Sequence, residues 1–148
     1  MQKTELKFNS QICTTKEQSQ RLLELGLKPE TADMVLIKEL AYDEVAHCTY
    51  DADTYMIRPI DYLEGEKHRG HIPAWSLHRL KCLLPTKIPY ASGYLTIEII
   101  NNVNLMFMTD TSEQRVISFI HEDLYESMIK CIKWLINENY FNKEYLKQ

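Results

Sequence analysis

The chain has 148 residues, 45% of them hydrophobic and 26% charged, a composition expected of one soluble globular domain able to bury a single core. Only four glycines and five prolines exclude a collagenous or linker-like chain, and aromatic and aliphatic residues along the whole length exclude disorder. A net charge of −4 argues against a general nucleic-acid binder.

The opening residues contain no apolar run long enough for a signal peptide, and no later run approaches the roughly 20 apolar residues of a membrane-spanning helix. A soluble, cytoplasmic protein is therefore expected, with reduced thiols rather than disulfides. The four cysteines (Cys13, Cys48, Cys82, Cys131) are widely spaced and form no C-x-x-C pair.

Taken in chain order, the first element is a helix beginning after Thr14-Thr15. Thr14 and Glu17 have the spacing of a capping box, Gly26 suits the left-handed residue that ends a helix, and Pro29 follows. Met34–Ile37 fits a buried strand or a short helix equally well, because the run is too short for periodicity to decide. A strand is expected near Thr54–Arg58, stopped by Pro59, and then a charged loop containing Gly65 and Gly70. In "IPAWSLHRLKCLLP" we expect a helix with Pro73 at its start, where a missing N–H costs nothing. Trp75 or Leu77, Leu80 and Leu84 form its core face, with His78, Arg79, Lys81 and Cys82 at the sides or outside.

Two β-rich runs, Tyr94–Ile100 and Val103–Met108, flank Asn101-Asn102 and predict a hairpin. A third strand is expected at Arg115–Ile120. The last helix begins near Asp123, carries the apolar stripe Leu124, Met128, Cys131, Ile132 and Leu135, and ends at Asn137–Asn139, after which Tyr140 and Phe141 fold back. The expected fold class is α+β: one domain with a small antiparallel sheet, the hairpin near 94–108 plus the strand near 115–120, and three or so helices packed on one face.

The segments "TTKEQSQRLLELGLKPETADM", "IPAWSLHRLKCLLP" and "CIKWLINENYFNKEYL" together resemble a group of small uncharacterised proteins common in gut Bacteroidetes genomes and in their phages or integrated elements. The resemblance implies a soluble cytoplasmic or phage-encoded protein. It implies no activity and no site residue.

Charge is unevenly distributed. Residues 39–66 hold the acids Glu39, Asp43, Glu44, Asp51, Asp53, Asp61, Glu64 and Glu66 against the single base Arg58, whereas residues 67–97 hold Lys67, Arg69, Arg79, Lys81 and Lys87 and no acid. Two complementary surfaces meeting within the fold or across a dimer explain this best. An anion contact at Lys67, Arg69, Arg79 and Lys81 is the sharper, less favoured reading.

His68, His71, His78 and Cys82 form the one metal candidate. His78 and Cys82 are four apart on a helical face, a spacing that lets two ligands reach one ion. Nearby cations and the lack of a carboxylate to orient the imidazoles weigh against it, and solvent-facing histidines on a basic helix are the commoner case. Asp51 and Asp53 would share a strand face and could hold Mg²⁺ or Ca²⁺ or serve as acid and base, but turn-forming aspartates in an acidic loop are favoured. His47 and Cys48, as chain neighbours, point apart and make no nucleophile pair. No phosphate-binding glycine loop, G-x-S-x-G or H-E-x-x-H occurs.

Nine tyrosines remain, many beside charges in or near the acidic stretch. Tyrosine combines a large contact area with a polar tip, and interfaces favour it. The expected function is thus a non-enzymatic interaction factor, an accessory protein of a phage or mobile element without a cofactor. Its contact surface is Tyr50, Asp51, Asp53, Tyr55 and Tyr62, and its partner another protein or itself. The alternatives are a small metal-dependent hydrolase built on the histidine–cysteine cluster or the aspartate pair, and a nucleic-acid module using the basic segment with Trp75.

Overall fold

The computed structural model describes residues 10–63, 70–89, 93–99, 103–108 and 115–148. Its elements are α1 (Lys16–Glu24), β1 (Met34–Asp43), β2 (Cys48–Pro59), β3 (His71–Ala74), α2 (Leu77–Leu83), β4 (Tyr94–Ile99), β5 (Val103–Met108), β6 (Arg115–His121) and α3 (Leu124–Asn137). The strands form two antiparallel three-stranded sheets, ordered β2-β1-β3 and β4-β5-β6, so the fold is α+β. The predicted hairpin and third strand make up the second sheet; the Asn101-Asn102 turn lies outside the described residues. Among the described residues no helix is long and apolar enough to cross a membrane.

The main core gathers around α3, which packs against α1, α2, β5 and β6. Its predicted stripe is buried at Met128, Cys131, Ile132 and Leu135, and it meets Leu22 of α1, Leu80 and Leu83 of α2, Trp75 and Ile88. Leu95, Ile117 and Phe119 bring the second sheet onto the same cluster, with the Phe119 and Trp134 rings 6.0 Å apart. Phe141 is buried, so the chain does fold back after α3, aided by Asn139 at φ 61°. Asp123 caps α3 by accepting the Tyr125 N–H, as its position before the stripe predicts.

A polar hub joins this core to the first sheet. Thr14 and Trp75 exchange bonds: the Thr14 N–H donates to the Trp75 carbonyl at 2.9 Å, and the Trp75 N–H to the Thr14 hydroxyl at 3.0 Å. The Trp75 indole N–H donates to the Thr31 hydroxyl, and Ser76 donates through both its backbone N–H and its hydroxyl to the Asp33 carboxylate. A smaller apolar cluster of Cys13, Leu36 and Ala74 lies beneath Met34, Tyr55, Ile57 and Ile72 on one face of the first sheet.

Three expectations are corrected. The capping box of α1 uses Thr15 and Gln18 rather than Thr14 and Glu17, because the Thr14 hydroxyl is committed to Trp75. Pro73 does not start a helix: it sits in β3, an edge strand that tolerates a missing N–H, and Ser76 caps α2 instead. Asp51 and Asp53 lie in strand β2, not in a turn. Aspartate is a poor strand former, but both are solvent-exposed and stand on an outer strand, where packing does not oppose them.

Candidate interaction surface

β1 and β2 stay paired as far as Asp43 and Cys48, whereas β3 covers β1 only over Met34–Ile37. From Lys38 outward the hairpin is therefore a two-stranded ribbon, about 20 Å long at the usual strand rise. Among the described residues no strand pairs with the outer edge of β2 or with β1 beyond Ile37. The burial pattern follows this geometry. Val35, Leu36 and Ile37 are buried, while Leu40 is 69% exposed, Tyr42 58%, Val45 92% and Tyr50 53%.

Local chemistry explains how the ribbon holds its shape. The register shifts between Lys38, opposite Tyr55, and Leu40, opposite Asp51, a bulge that twists the outer part of the hairpin. Lys38 Nζ lies 3.5 Å from Asp51 Oδ2 across the bulge, a surface ion pair of small energetic weight. At the tip the Asp43 carboxylate accepts the N–H groups of Val45 and Ala46 at 2.8 and 3.0 Å, and these bonds hold its carboxyl below the usual carboxylate range. His47 supplies the left-handed residue of the turn, at φ 48°, and its Nδ1 is 3.3 Å from the Tyr42 hydroxyl.

Leu40 and Tyr42 project from one face of the ribbon with Asp51 and Thr49 opposite them, and Ala41 and Tyr50 from the reverse face. Each face thus presents apolar or aromatic surface beside carboxylates. Charged edges and a bulge protect an open ribbon against indiscriminate strand pairing, yet they do not require exposed Leu40, Val45 and Tyr50. A lone two-stranded ribbon is only marginally stable in water, and this arm is anchored by its continuation into the three-stranded part of the sheet.

The residues singled out in the sequence separate as follows. Tyr50, Asp51 and Asp53 stand on the arm. Tyr55 lies at its base, half-buried, with Lys16 Nζ 5.8 Å from its ring centre, and it lines a shallow cavity of about 270 Å³ with Cys13, Lys16, Leu36 and Ile57. Tyr62 falls in the 3-10 turn Ile60–Leu63 that follows β2. Leu40, Tyr42 and Val45 complete the surface. Reasoning from charge and tyrosine content passed over Leu40 and Val45, because nothing local marks them as uncovered.

Of the basic and metal candidates, Lys67, His68 and Arg69 lie outside the described residues. Arg79 and Lys81 are exposed on α2, as are His78 and Cys82, whose Nε2 and Sγ are 3.6 Å apart. His71 is on β3. Among the described residues no group of three or more His, Cys, Asp or Glu side chains is placed to hold a metal ion. Burial pushes the Cys13 thiol up to about 11, with the Asp33 charge adding to the effect, and burial likewise raises Cys131. Both behave as core residues rather than nucleophiles.

No protein-family model matches the chain, and no curated protein or solved structure matches it either.

Proposed function

We propose that this protein works by binding another protein chain, and that the outer β1–β2 arm is its contact surface. The observation that carries the reading is the arm itself: a two-stranded ribbon that no other described strand covers, bearing exposed Leu40, Tyr42, Val45 and Tyr50 among carboxylates. Open strand edges offer backbone hydrogen bonds, and the alternating side chains add apolar contact and charge selectivity. On the resemblance read from the sequence, we place this role in an accessory protein of a phage or mobile element.

The test is a shortened hairpin. Lys38 and Tyr55 are paired at the inner side of the bulge, so an Asn-Gly turn can replace residues 39–54 and leave the covered base intact. The variant is expected to unfold cooperatively, to keep the helical part of its circular-dichroism spectrum while losing the strand contribution of the removed arm, and to lose association with its protein partner. Retained association in a folded, shortened chain would overturn the proposal.

A further inference from the structure

The described acids of the arm and the described bases of α2 form no ion pairs with each other. Among the described residues the ion pairs are Arg21–Glu126 and Lys38–Asp51; Glu39, Asp43, Glu44 and Asp53 on the arm reach no cation, and Arg79 and Lys81 on α2 reach no carboxylate. Both sets are solvent-exposed or nearly so; the arm's one lysine, Lys38, is taken up by Asp51, and the charged residues of α2 are the bases Arg79 and Lys81. A negative arm and a positive helix that stay apart within one chain are complementary between two chains.

Beside the exposed side of α2 is an open cavity of about 280 Å³ walled by Cys82, Pro85, Tyr140 and Tyr145. Its aromatic and proline walls suit an apolar or aromatic side chain, and the arm carries exposed Leu40, Tyr42 and Tyr50. Two other cationic grooves are mixed in sign: the one between α1 and α3 has Lys130 and Lys133 but also Glu24, with Arg21 held by Glu126, and the one lined by Lys28, Pro29 and Lys147 also holds Glu30, with Lys28 Nζ donating to the Glu144 carbonyl. Among the described residues the α2 surface sets exposed cations beside an apolar seat whose lining holds no carboxylate.

From these observations we infer that the arm's partner is a second copy of this chain. Resting on the reading of the arm as a protein-contact surface, the inference lays each arm over α2 of the other copy. Arg79 and Lys81 then face Glu39, Glu44 and Asp53, and an arm side chain enters the cavity beside Cys82. A twofold axis makes this contact twice, which closes the assembly as a dimer.

Sedimentation velocity with charge exchange tests it. The arm variant Glu39→Lys/Glu44→Lys/Asp53→Lys spares Asp43, which caps the turn, and Asp51, which pairs with Lys38. The helix variant Arg79→Glu/Lys81→Glu keeps α2 intact, because glutamate suits the third helical position after a serine cap. Wild type is expected to be a dimer that weakens about tenfold or more between about 0.1 and 1 M salt, as the Debye length falls from about 10 to 3 Å. Each variant alone should be monomeric, since both contacts become like-charged. An equimolar mixture should form a heterodimer, and a chain carrying both sets of changes should dimerise again. Lys130→Glu/Lys133→Glu should leave the wild-type dimer unchanged.

A monomeric wild type, or variants that do not recombine on mixing, would overturn the inference. If the wild type is monomeric but a cross-linker at Tyr50 captures a different protein, the contact surface stands and the self-contact falls. If it captures nothing, both fall.

Discussion

Replacing Thr14 with valine tests the hub that joins the two halves of the fold. The Thr14 side chain is 1% exposed; its hydroxyl accepts the Trp75 N–H at 3.0 Å and shares a hydrogen bond with the Ser19 hydroxyl at 2.7 Å. Valine keeps nearly the same volume, so no cavity forms and the cost falls on the two groups left behind. A buried polar group stripped of its partner costs about 1–3 kcal/mol. The Trp75 N–H has no alternative acceptor on its own chain segment, whereas Ser19 can turn toward the Thr15 carbonyl one helical turn back. Thr14→Val should therefore destabilise by about 2–4 kcal/mol, a large part of the roughly 5–15 kcal/mol that holds a domain together. Ser19→Ala leaves the Thr14–Trp75 bond in place and should cost no more than about 1 kcal/mol. Both single changes break the same Thr14–Ser19 bond, so the double variant should fall short of the sum by about 1 kcal/mol. Urea unfolding followed by tryptophan fluorescence measures all three, with an unchanged m-value showing that the same surface unfolds. Additivity within about 0.5 kcal/mol, or a Thr14→Val cost below that figure, would refute the hub as drawn.

Ser127 is buried in α3, and its hydroxyl has no hydrogen-bond partner among the described residues, so Ser127→Ala should raise stability by about 0.5–1.5 kcal/mol in the same assay. The Arg21 guanidinium donates to the Glu126 carboxylate and, with Gln18, holds its carboxyl below the ordinary range against an opposing burial effect. That lowered value makes the contribution of Glu126 full above the unfolded glutamate pKa of about 4.3 and lost as pH falls through the folded one. Urea titrations of wild type and Glu126→Gln should thus converge below about pH 4, and a constant gap down to pH 3 would contradict the assignment. All four cysteines are free thiols; Cys48 and Cys82 are exposed and Cys13 and Cys131 buried. A thiol reagent should accordingly label Cys48 and Cys82 in the native protein and the buried pair only after unfolding, as peptide mapping would read directly.

Much of the second half of the chain was legible because its signals are local. The β4–β5 runs flank an Asn-Asn pair in the sequence, and Asp123 stands directly before the α3 stripe. In the first half the deciding partners are distant. Pro73 suits a helix start and an edge strand equally, and the choice is made by its pairing with Val35. Either Thr14 or Thr15 can cap α1, and Trp75 selects between them by taking the Thr14 hydroxyl. Asp51 and Asp53 read as turn formers on propensity alone, and a long partner strand overrides that preference. The charge asymmetry was plain in the sequence, but the pairing of β3 with β1 only over Met34–Ile37, among the described residues, is a tertiary fact that no local pattern encodes.

Photo-cross-linking in cells that make the protein tests the central claim most directly. A benzophenone side chain replaces Tyr42 or Tyr50 on the arm, with Lys130 and Glu138, both exposed and far along the chain on α3 and its C-terminal end, as control positions. The arm positions should give one discrete protein adduct, competed away by excess unlabelled wild type, and the controls should give none. Equal labelling at arm and control positions, or no adduct from the arm, would contradict the assignment of the hairpin as the contact surface.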